Sequence, residues 1–310
     1  MDKNLILYDW LSFTTRENDP YYIANLIGLP DVPWELIKGA HGYHDRLYYG
    51  SISIHYNGRE DMGCWCEMSG QGCRTFESYS DVSWPELFDS IANEHLKVTR
   101  LDVAYDDHIG LLDLNQIVSD VHAGEYVSKS RDWSITESSK GQTVDIGSPK
   151  SLVYIRIYDK AAERHCDPGT HWVRCELQLR DERAQSFVVM TEPQNPFTMA
   201  LGDAYCGVVI NYLRFVDPDP DDTNRWRWPI KDYWGNFLCN AQAIKLYSDP
   251  GVDYNLDRLK AYVVHQAGNA IDAYIKIKGL DSFLESIQCR PQRRNPKYDT
   301  LVAYYKDFKL

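Results

Sequence analysis

Three segments of the chain alternate polar and apolar residues, and this pattern constrains the fold more than any other feature of the sequence. They cover residues 97–106, 152–160 and 172–180. A period of two is that of a β-strand, whose successive side chains point to opposite faces of a sheet. If the three strands pair in one antiparallel sheet, one face packs into the core and the other collects the polar side chains.

The polar sides of these strands share one order of residue types. Each strand carries an arginine followed two positions later by an acid or a tyrosine, and further polar residues lie on the same side. These residues are Arg100, Asp102 and Asp106, then Tyr154, Arg156, Tyr158 and Lys160, and finally Arg174, Glu176, Gln178 and Arg180. Such alternation also occurs where one face of a sheet only meets water. Because three strands repeat the pattern, we favour a functional site.

The residue types on this face indicate phosphoryl transfer. Carboxylate oxygens suit Mg²⁺ and Mn²⁺, and such an ion takes further oxygens from water and from a substrate phosphate. Arginine binds phosphate oxygens through paired hydrogen bonds. A tyrosine, with an ordinary pKa of about 10, becomes a useful nucleophile when nearby cations stabilise its phenolate. Together these groups predict a covalent link between a tyrosine and a phosphate.

Several motifs within roughly residues 5–240 resemble those of a known family. They are Met68-Ser-Gly-Gln-Gly-Cys-Arg74, Arg100-Leu-Asp-Val-Ala-Tyr-Asp-Asp107, Thr143-Val-Asp-Ile-Gly-Ser-Pro-Lys-Ser151, Tyr154-Ile-Arg-Ile-Tyr-Asp-Lys160, Val173-Arg-Cys-Glu-Leu-Gln-Leu179 and the Trp-rich segment from Arg225 to Leu238. As a set they resemble the Rep_trans-type replication initiation factors, which are rolling-circle initiators and relaxases of filamentous phages, small plasmids and some conjugative elements. The chain length and the 69–74 motif are more similar to the phage-type members.

The resemblance implies an enzyme that nicks one strand at a replication origin in a metal-dependent reaction. Such an enzyme keeps the 5′ phosphate on a tyrosine, leaves a 3′-OH for a host polymerase and rejoins the ends at termination. The implied partners are origin DNA, as a single strand or a supercoiled hairpin, together with a host helicase and polymerase. A homodimer would supply a second tyrosine for the rejoining step.

The resemblance also assigns roles to residues of the polar face. The implied nucleophile is Tyr158, and the implied catalytic cations are Arg156, Lys160 and Arg174. The implied ligands of the expected cofactor, Mg²⁺ or Mn²⁺, are Asp102, Glu176 and, at a strand end, Asp106. The sequence contains no His-x-His pair, which other nicking enzymes use to bind their metal, so a carboxylate-held metal is the consistent expectation.

A further set of cations is expected to contact DNA. They are Arg100, Lys150 and Arg180 on or beside the polar face, and Arg290, Arg293 and Arg294 near the C-terminus. For the last three, an ordinary solvated turn is an equal alternative. The net charge of −12 argues against a protein that coats DNA without sequence preference, because such proteins neutralise many phosphates. We therefore expect recognition of a particular origin.

The order of the predicted elements indicates an α+β fold. We expect a central, largely antiparallel sheet with the active site on one face and helices packed on the other, plus a helical C-terminal region. Residues 1–215 are predicted to form the catalytic domain, residues 216–225 an acidic linker or loop, and residues 226–310 the helical region.

Local signals predict several individual elements. Residues 47–56 are interpreted as a strand that leads into a hairpin turn at Asn57-Gly58. A capping box at Ser83 predicts a helix toward His95. Further helices are predicted at residues 113–122, 229–239, 256–277 and 299–306.

The sequence gives no sign of export or of a membrane. Its first residues lack the basic and then apolar layout of a signal peptide. No apolar run approaches the ~18 residues that cross a bilayer. We therefore expect a protein of the cytoplasm of a bacterial host, with eight reduced cysteines.

Several alternatives stay open from the sequence. The protein could be a metal-dependent nuclease that uses water, or an origin-binding regulator without catalysis. Tyr154 could be a second nucleophile, although packing at the sheet surface is favoured. Cys64, Cys66 and Cys73 could form a zinc site, but buried thiols are the favoured interpretation. Trp226, Trp228 and Trp234 could be stacking platforms for bases, but we favour a role as anchors of the C-terminal tail.

Overall fold

The described residues form a ten-stranded antiparallel sheet that extends through the whole fold. The computed structural model describes residues 4–138, 141–193, 198–243, 260, 263–264 and 268–289. The strands are β1 (Leu5–Thr15), β2 (Glu35–Lys38), β3 (Asp45–Tyr49), β4 (Ile52–Tyr56), β5 (Cys64–Met68), β6 (Lys97–Asp107), β7 (Tyr126–Ser128), β8 (Trp133–Ser138), β9 (Gly141–Ile146), β10 (Val153–Asp159), β11 (Val173–Arg180) and β12 (Leu213–Phe215). The order in the sheet is β2-β3-β4-β5-β1-β6-β11-β10-β9-β8, and β7 pairs separately with β12.

The described residues include ten α-helices. They are α1 (Pro20–Leu26), α2 (Gly70–Tyr79), α3 (Trp84–Asn93), α4 (Leu114–Ala123), α5 (Lys160–Glu163), α6 (Asp181–Thr191), α7 (Leu201–Tyr212), α8 (Asp232–Ala243), α9 (Gly268–Lys278) and α10 (Leu280–Gln288). All except α5, α9 and α10 contribute side chains to the hydrophobic core on one face of the sheet. The predicted capping box of Ser83 and Glu86 opens α3. Asp113 caps α4, and Gly124 ends it with a φ of 68°. Both predicted helices are therefore confirmed.

The three alternating strands lie side by side in the sheet, as predicted. Strand β11 pairs with β10 on one side and with β6 on the other. Their apolar residues, among them Val103, Ile155 and Leu177, belong to the buried core together with residues of the helices. Their polar residues lie on the opposite side of the sheet, which we call the open face. The α+β fold class is confirmed.

The predicted strand at 47–56 is wrong, because this segment is a hairpin of β3 and β4. Its tight turn lies at Gly50 and Ser51, whose φ angles of 51° and 68° are both in the left-handed region. A Cβ at Gly50 would lie 2.5 Å from Cγ2 of Thr75, so α2 packs too closely for any larger residue. The predicted Asn57-Gly58 hairpin signal instead opens the longer connection to β5.

The described part of the C-terminal region shares the core with the sheet. Trp234 and Phe237 of α8 are fully buried in the same hydrophobic cluster as Tyr105 of β6. The predicted linker is a loop tied to the Trp-rich segment after it, since the Trp228 indole donates to the carbonyl of Asp222. Helix α8 begins at Asp232, not at residue 229, because Ile230 forms a β-bridge with Val216.

Parts of the predicted C-terminal helices fall outside the described residues. Of the helix predicted at 256–277, the structure describes residues 260 and 263–264 and, as part of α9, the stretch from residue 268 onward; the helix predicted at 299–306 lies outside the described residues. The predicted DNA contacts Arg290, Arg293 and Arg294 also lie outside them. Within the described residues, no helix combines the length and the apolar character needed to cross a lipid bilayer.

Candidate active site

The register of the strands arranges the polar residues of the open face in rows across the sheet. The first row contains Tyr158, Arg174 and Asp106; the second contains Arg156, Glu176 and Ala104; the third contains Tyr154, Gln178 and Asp102. Neighbouring rows are about 7 Å apart, the rise of two residues in a strand. The predicted nucleophile and the predicted metal ligands therefore lie on one surface.

Tyr158 lies between groups of opposite charge. Its hydroxyl donates a hydrogen bond to Glu176 Oε2 at 3.0 Å and accepts one from Lys160 Nζ at 3.4 Å. Only 5% of Tyr158 is exposed. Burial, and then the Glu176 carboxylate, raise the pKa of Tyr158 above its ordinary value of 10. The phenol is therefore protonated near neutral pH, and its proton is directed at Glu176.

Two cations flank this phenol. Lys160 is buried, and burial followed by the charge of Arg174 lowers its pKa. The guanidinium carbon of Arg156 lies 5.1 Å from the centroid of the Tyr158 ring, and Nη1 lies 3.8 Å from Glu176 Oε1. The Arg156 side chain is 37% exposed. Arg156 is thus placed to contact a phosphate that approaches from solvent.

Arg174 is engaged by two carboxylates and not by solvent. Its Nε and Nη2 donate to Asp106 at 2.6 and 2.8 Å, and its Nη1 donates to Asp9 Oδ2 at 2.7 Å. For Arg174, an implied catalytic cation, this geometry favours fixing of the carboxylates over direct contact with the phosphate. Arg174 donates to both oxygens of Asp106, so a metal at this predicted ligand would have to share or replace those hydrogen bonds.

Asp102 is a buried carboxylate held by Arg100. The Arg100 Nε and Nη2 atoms donate to its two oxygens at 2.9 and 2.5 Å. Burial raises the pKa of Asp102 to about 7, Arg100 opposes this shift, and the negative charges of Glu176 and Asp9 add to it. Asp102 is therefore repelled by two other carboxylates on this part of the open face.

The donor chemistry of this cluster fits a divalent cation. Hard carboxylate oxygens suit Mg²⁺ or Mn²⁺, and a cation would relieve the repulsion that raises the pKa of Asp102. As the side chains are placed, no group of three His, Cys, Asp or Glu in the described ranges could hold a metal ion. Arg100 bonds both oxygens of Asp102, so that pair would have to open for a metal, whereas Tyr158 uses only Oε2 of Glu176 and leaves Oε1 for the cation.

Two family models match the chain. One, described as "Replication initiation factor", matches residues 96–287, which is more than half of the 310 residues and includes β6, β10 and β11. The chain belongs to the replication initiation factor family. A second model, described as "Rolling Circle replication initiation protein N-terminal domain", matches residues 6–90. The resemblance noted from the motifs is confirmed.

This replication initiation factor is similar to a curated protein and to a solved structure. It is 29% identical over 268 residues to "Putative DNA relaxase NicK" of Bacillus subtilis (strain 168), covering 81% of this chain and 75% of the relative. A rolling-circle replication initiator protein from Geobacillus stearothermophilus superimposes with a TM-score of 0.73 at 29% identity, covering 79% of this chain and 99% of that one. The sheet that carries the candidate site is thus part of a rolling-circle initiator fold.

Asp9 is the residue of this site that the sequence reasoning missed. It lies in β1 at a bulge, where the register with β6 shifts between Tyr8 and Trp10. A bulge sets two residues of one strand against one of its partner, so Asp9 and Trp10 both lie toward the open face. The signal was present, since Asp9 is the only charged residue in the eleven residues of β1.

The approach of Gly70 to Asp9 gives a prediction. A Cβ at Gly70 would lie 2.8 Å from Asp9 Oδ1, so Gly70→Ala should push this carboxylate away from Arg174. We expect about tenfold slower DNA cleavage, since small misplacements of catalytic groups have large effects on rate. Gly207→Ala in α7 is the matched control, because nothing lies within 4 Å of its new Cβ. Equal cleavage rates of the two variants would contradict a role for Asp9.

The raised pKa of Asp102 predicts how Mg²⁺ affects stability. The folded-state pKa of Asp102 is about 7, against an ordinary 3.8. Protonated Asp102 therefore stabilises the folded, metal-free protein fully below about pH 4, and this stabilisation is lost as pH rises through 7. Mg²⁺ should therefore raise the melting temperature by roughly 3–5 °C at pH 8 and by less at pH 5.5. Sodium chloride at equal ionic strength is the control. The same pH-dependent gain in Asp102→Asn would contradict this prediction.

The predicted DNA contacts at the edge of the site have local roles in this replication initiation factor. The Nε of Arg180 and the amide of Gln178 both donate to the carbonyl of Pro149, at 2.8 and 2.9 Å. They hold the turn that carries Lys150, whose side chain is exposed. Arg100, as described, holds Asp102. Lys150 is thus the most accessible of these three predicted contacts.

The other residues singled out in the sequence have structural surroundings. Tyr154 donates to Asp145 Oδ1 at 2.5 Å, and burial is the largest cause that raises its pKa. Trp234 is fully buried, in agreement with the anchoring interpretation. The three cysteines weighed as a zinc site, Cys64, Cys66 and Cys73, are buried free thiols.

Proposed function

We propose that this replication initiation factor nicks one strand of origin DNA and retains the 5′ phosphate on Tyr158. The observation that carries the proposal is the contact of one hydroxyl with both Glu176, at 3.0 Å, and Lys160, at 3.4 Å. Glu176 can accept the phenol proton, and Lys160 can stabilise the charge on the oxygen. The family match and the named relatives support a reaction on DNA at an origin.

In the proposed step the Tyr158 oxygen attacks the scissile phosphorus while its proton passes to Glu176. A bond between phosphorus and the tyrosine oxygen forms, and the bond between phosphorus and the 3′ oxygen breaks. The electron pair of the broken bond stays on the 3′ oxygen, which takes up a proton to become a 3′-OH. Rejoining is the reverse reaction, in which a 3′-OH attacks the phosphotyrosine, so the ends are resealed without ATP.

We further propose that Asp102 and Glu176 hold Mg²⁺ or Mn²⁺. When bound, the cation supplies neutralisation of the phosphate charge. Arg156, which is partly exposed, would bind a phosphate oxygen from the other side. Arg174 fixes Asp9 and Asp106 and so supports the geometry of the row that contains Tyr158.

The proposed setting is an origin inside a bacterial host. A host helicase would open the duplex, and a host polymerase would extend the 3′-OH that the nick leaves. Termination requires a second strand transfer, and a second copy of this chain in a homodimer would supply the second Tyr158.

The test is the formation of a covalent adduct. The full chain is incubated in Mg²⁺ with single-stranded oligonucleotides that tile the DNA element encoding it. We expect one tile to give a protein–DNA adduct that survives denaturation, together with a fragment whose 3′-OH a polymerase extends. EDTA should remove both products.

The same assay separates the alternatives. A nuclease that uses water would cleave the tile but leave no adduct on the protein. A regulator without catalysis would bind a tile equally well with and without Mg²⁺, and Asp102→Ala would not change its binding. Either result would overturn the proposed strand transfer.

A further inference from the structure

The open face of the sheet continues well beyond the candidate active site. In the half formed by β1, β3, β4 and β5, the core residues Leu47, Ile54 and Cys66 alternate with side chains on the opposite side. On that side Arg46, His55 and Trp65 lie opposite one another in a single row, and Trp10 lies opposite Asp102. We call these four residues, Trp10, Arg46, His55 and Trp65, the aromatic patch.

The rings of the aromatic patch are arranged for stacking. The rings of His55 and Trp65 are stacked, with centroids 4.7 Å apart and planes inclined by 21°. His41 meets the same Trp65 ring edge-on at 5.2 Å. The Arg100 guanidinium lies 4.1 Å from the centroid of Trp10. Arg100 therefore contacts both Asp102 of the active-site rows and Trp10 of the aromatic patch.

The aromatic patch also has polar atoms without partners. Within the part of the chain that the structure describes, Trp10 Nε1, Arg46 Nε and His55 Nδ1 are buried atoms with no hydrogen-bond partner. Buried polar groups in native proteins are nearly always satisfied, so three on one surface require an explanation. Bases and sugars of a nucleic acid offer both donors and acceptors at their edges.

The charges around the aromatic patch favour contact with bases over contact with phosphates. Arg46, Arg100 and His41 surround Glu67, and each of them lowers the pKa that burial of Glu67 raises. The positive charges around Glu67 therefore offset its negative charge. His55 is buried, whereas the rings of Trp10 and Trp65 are partly exposed. A neutral surface with partly exposed tryptophan rings attracts bases by stacking, whereas phosphate binding needs an excess of positive charge.

We propose that the aromatic patch binds unpaired bases of the DNA strand that reacts at Tyr158. This inference rests on the proposed function and names its substrate as a single strand several nucleotides longer than the cleavage site. Counting rows and strands, Trp65 is on the order of 30 Å from Tyr158 along the open face. One strand lying across the face would meet Tyr158, then Arg156, then Trp10, and finally Trp65, whose ring rests on the buried His55.

Binding of oligothymidylates of increasing length, measured by fluorescence anisotropy, tests this inference. For the wild type we expect affinity to rise from strands of about 6 nucleotides to strands of about 16 nucleotides. Trp65→Ala should bind the long strand about tenfold more weakly, the effect of one lost base stack, and bind the short strand like the wild type. Trp65→Phe, which keeps a ring, should retain most of the affinity.

Two controls separate stacking from charge and from misfolding. A long strand with abasic sites along its length keeps every phosphate, and the wild type should bind it as weakly as Trp65→Ala binds the intact strand. The slope of affinity against salt should be the same for wild type and Trp65→Ala, since no phosphate contact is lost. If Trp65→Ala does not fold, the abasic strand alone decides the question.

The outcomes distinguish this inference from the proposed function. The proposed binding of bases by the aromatic patch would be overturned if the wild type and Trp65→Ala bound the long strand equally, or if abasic sites had no effect on binding. This holds even if the adduct forms. If Trp65→Ala loses binding of the long strand but the wild type forms no adduct, the result would support base binding at the aromatic patch and reject the strand transfer.

Discussion

Replacing Tyr158 with phenylalanine is expected to abolish the covalent protein–DNA adduct. The ring stays between Arg156 and Lys160, but the oxygen that would bond to phosphorus is gone, and the hydrogen bond to Glu176 with it. We expect adduct formation to fall by at least about 10³-fold, because phenylalanine has no oxygen to form the bond to phosphorus. The measurement is the denaturing gel of the adduct assay, with binding of the same oligonucleotide as a check on folding.

Tyr154→Phe is the matched control for this prediction. Tyr154 lies four residues earlier on the same face, and its hydroxyl donates to Asp145 and not to Glu176. This variant should form the adduct like the wild type. A normal amount of adduct in Tyr158→Phe, with loss in Tyr154→Phe, would move the nucleophile to Tyr154.

Replacing Arg174 with methionine is expected to give the largest loss of stability among the residues of the site. Asp106 is 2% exposed and has Arg174 as its bidentate partner, at 2.6 and 2.8 Å. Removing one partner of a buried ion pair leaves the other charge uncompensated, which costs about 3–5 kcal/mol. The melting temperature should fall by roughly 10 °C.

The pH dependence of this loss has a defined sign. Burial pushes the pKa of Asp106 upward, but Arg174 outweighs it and holds the pKa below the ordinary 3.8. A depressed pKa contributes stability above the ordinary value, and this contribution is lost as pH falls below about 4. The stability gap between the wild type and Arg174→Met should therefore be larger at pH 7 than at pH 3.

Arg156→Met is the matched control for this prediction. The Arg156 side chain is 37% exposed, against 5% for Arg174, and its ion pairs with Asp145 and Glu176 are longer, at 3.3 and 3.8 Å. Partly exposed pairs of this kind contribute less than about 1 kcal/mol. We expect Arg156→Met to fold normally and to lose activity. Equal destabilisation by the two variants would contradict the role of Arg174 in fixing the carboxylates.

The strand pattern and the motifs predicted the central strands of the sheet and the family of this protein. The alternation in β6, β10 and β11 determined which side chains share a face, because a period of two holds in any sheet that buries one side. The same argument placed Tyr158 and Glu176 on one surface before any contact was known. The motifs then identified the family, which the match over residues 96–287 confirms.

Other features could not be predicted because they depend on contacts between distant segments. Asn57-Gly58 is the stronger turn signal in isolation, yet Gly50 takes the hairpin turn because α2 packs against it. The anchoring of the Trp-rich segment was predicted, but the sequence did not show that Trp234 and Phe237 share one hydrophobic cluster with Tyr105 of β6. Local preference is a weak guide wherever tertiary packing decides the outcome.

By itself, the sequence determined the fold class, the open face and the family, since periodicity and motifs are local properties of a chain. Only the tertiary structure decided which charges pair with which. It assigned Arg174 to Asp106 and Asp9, Arg100 to Asp102, and Glu176 to Tyr158. The physical reason is that every arginine on one face can reach several carboxylates, and the choice among them depends on burial and distance between strands that are far apart in sequence.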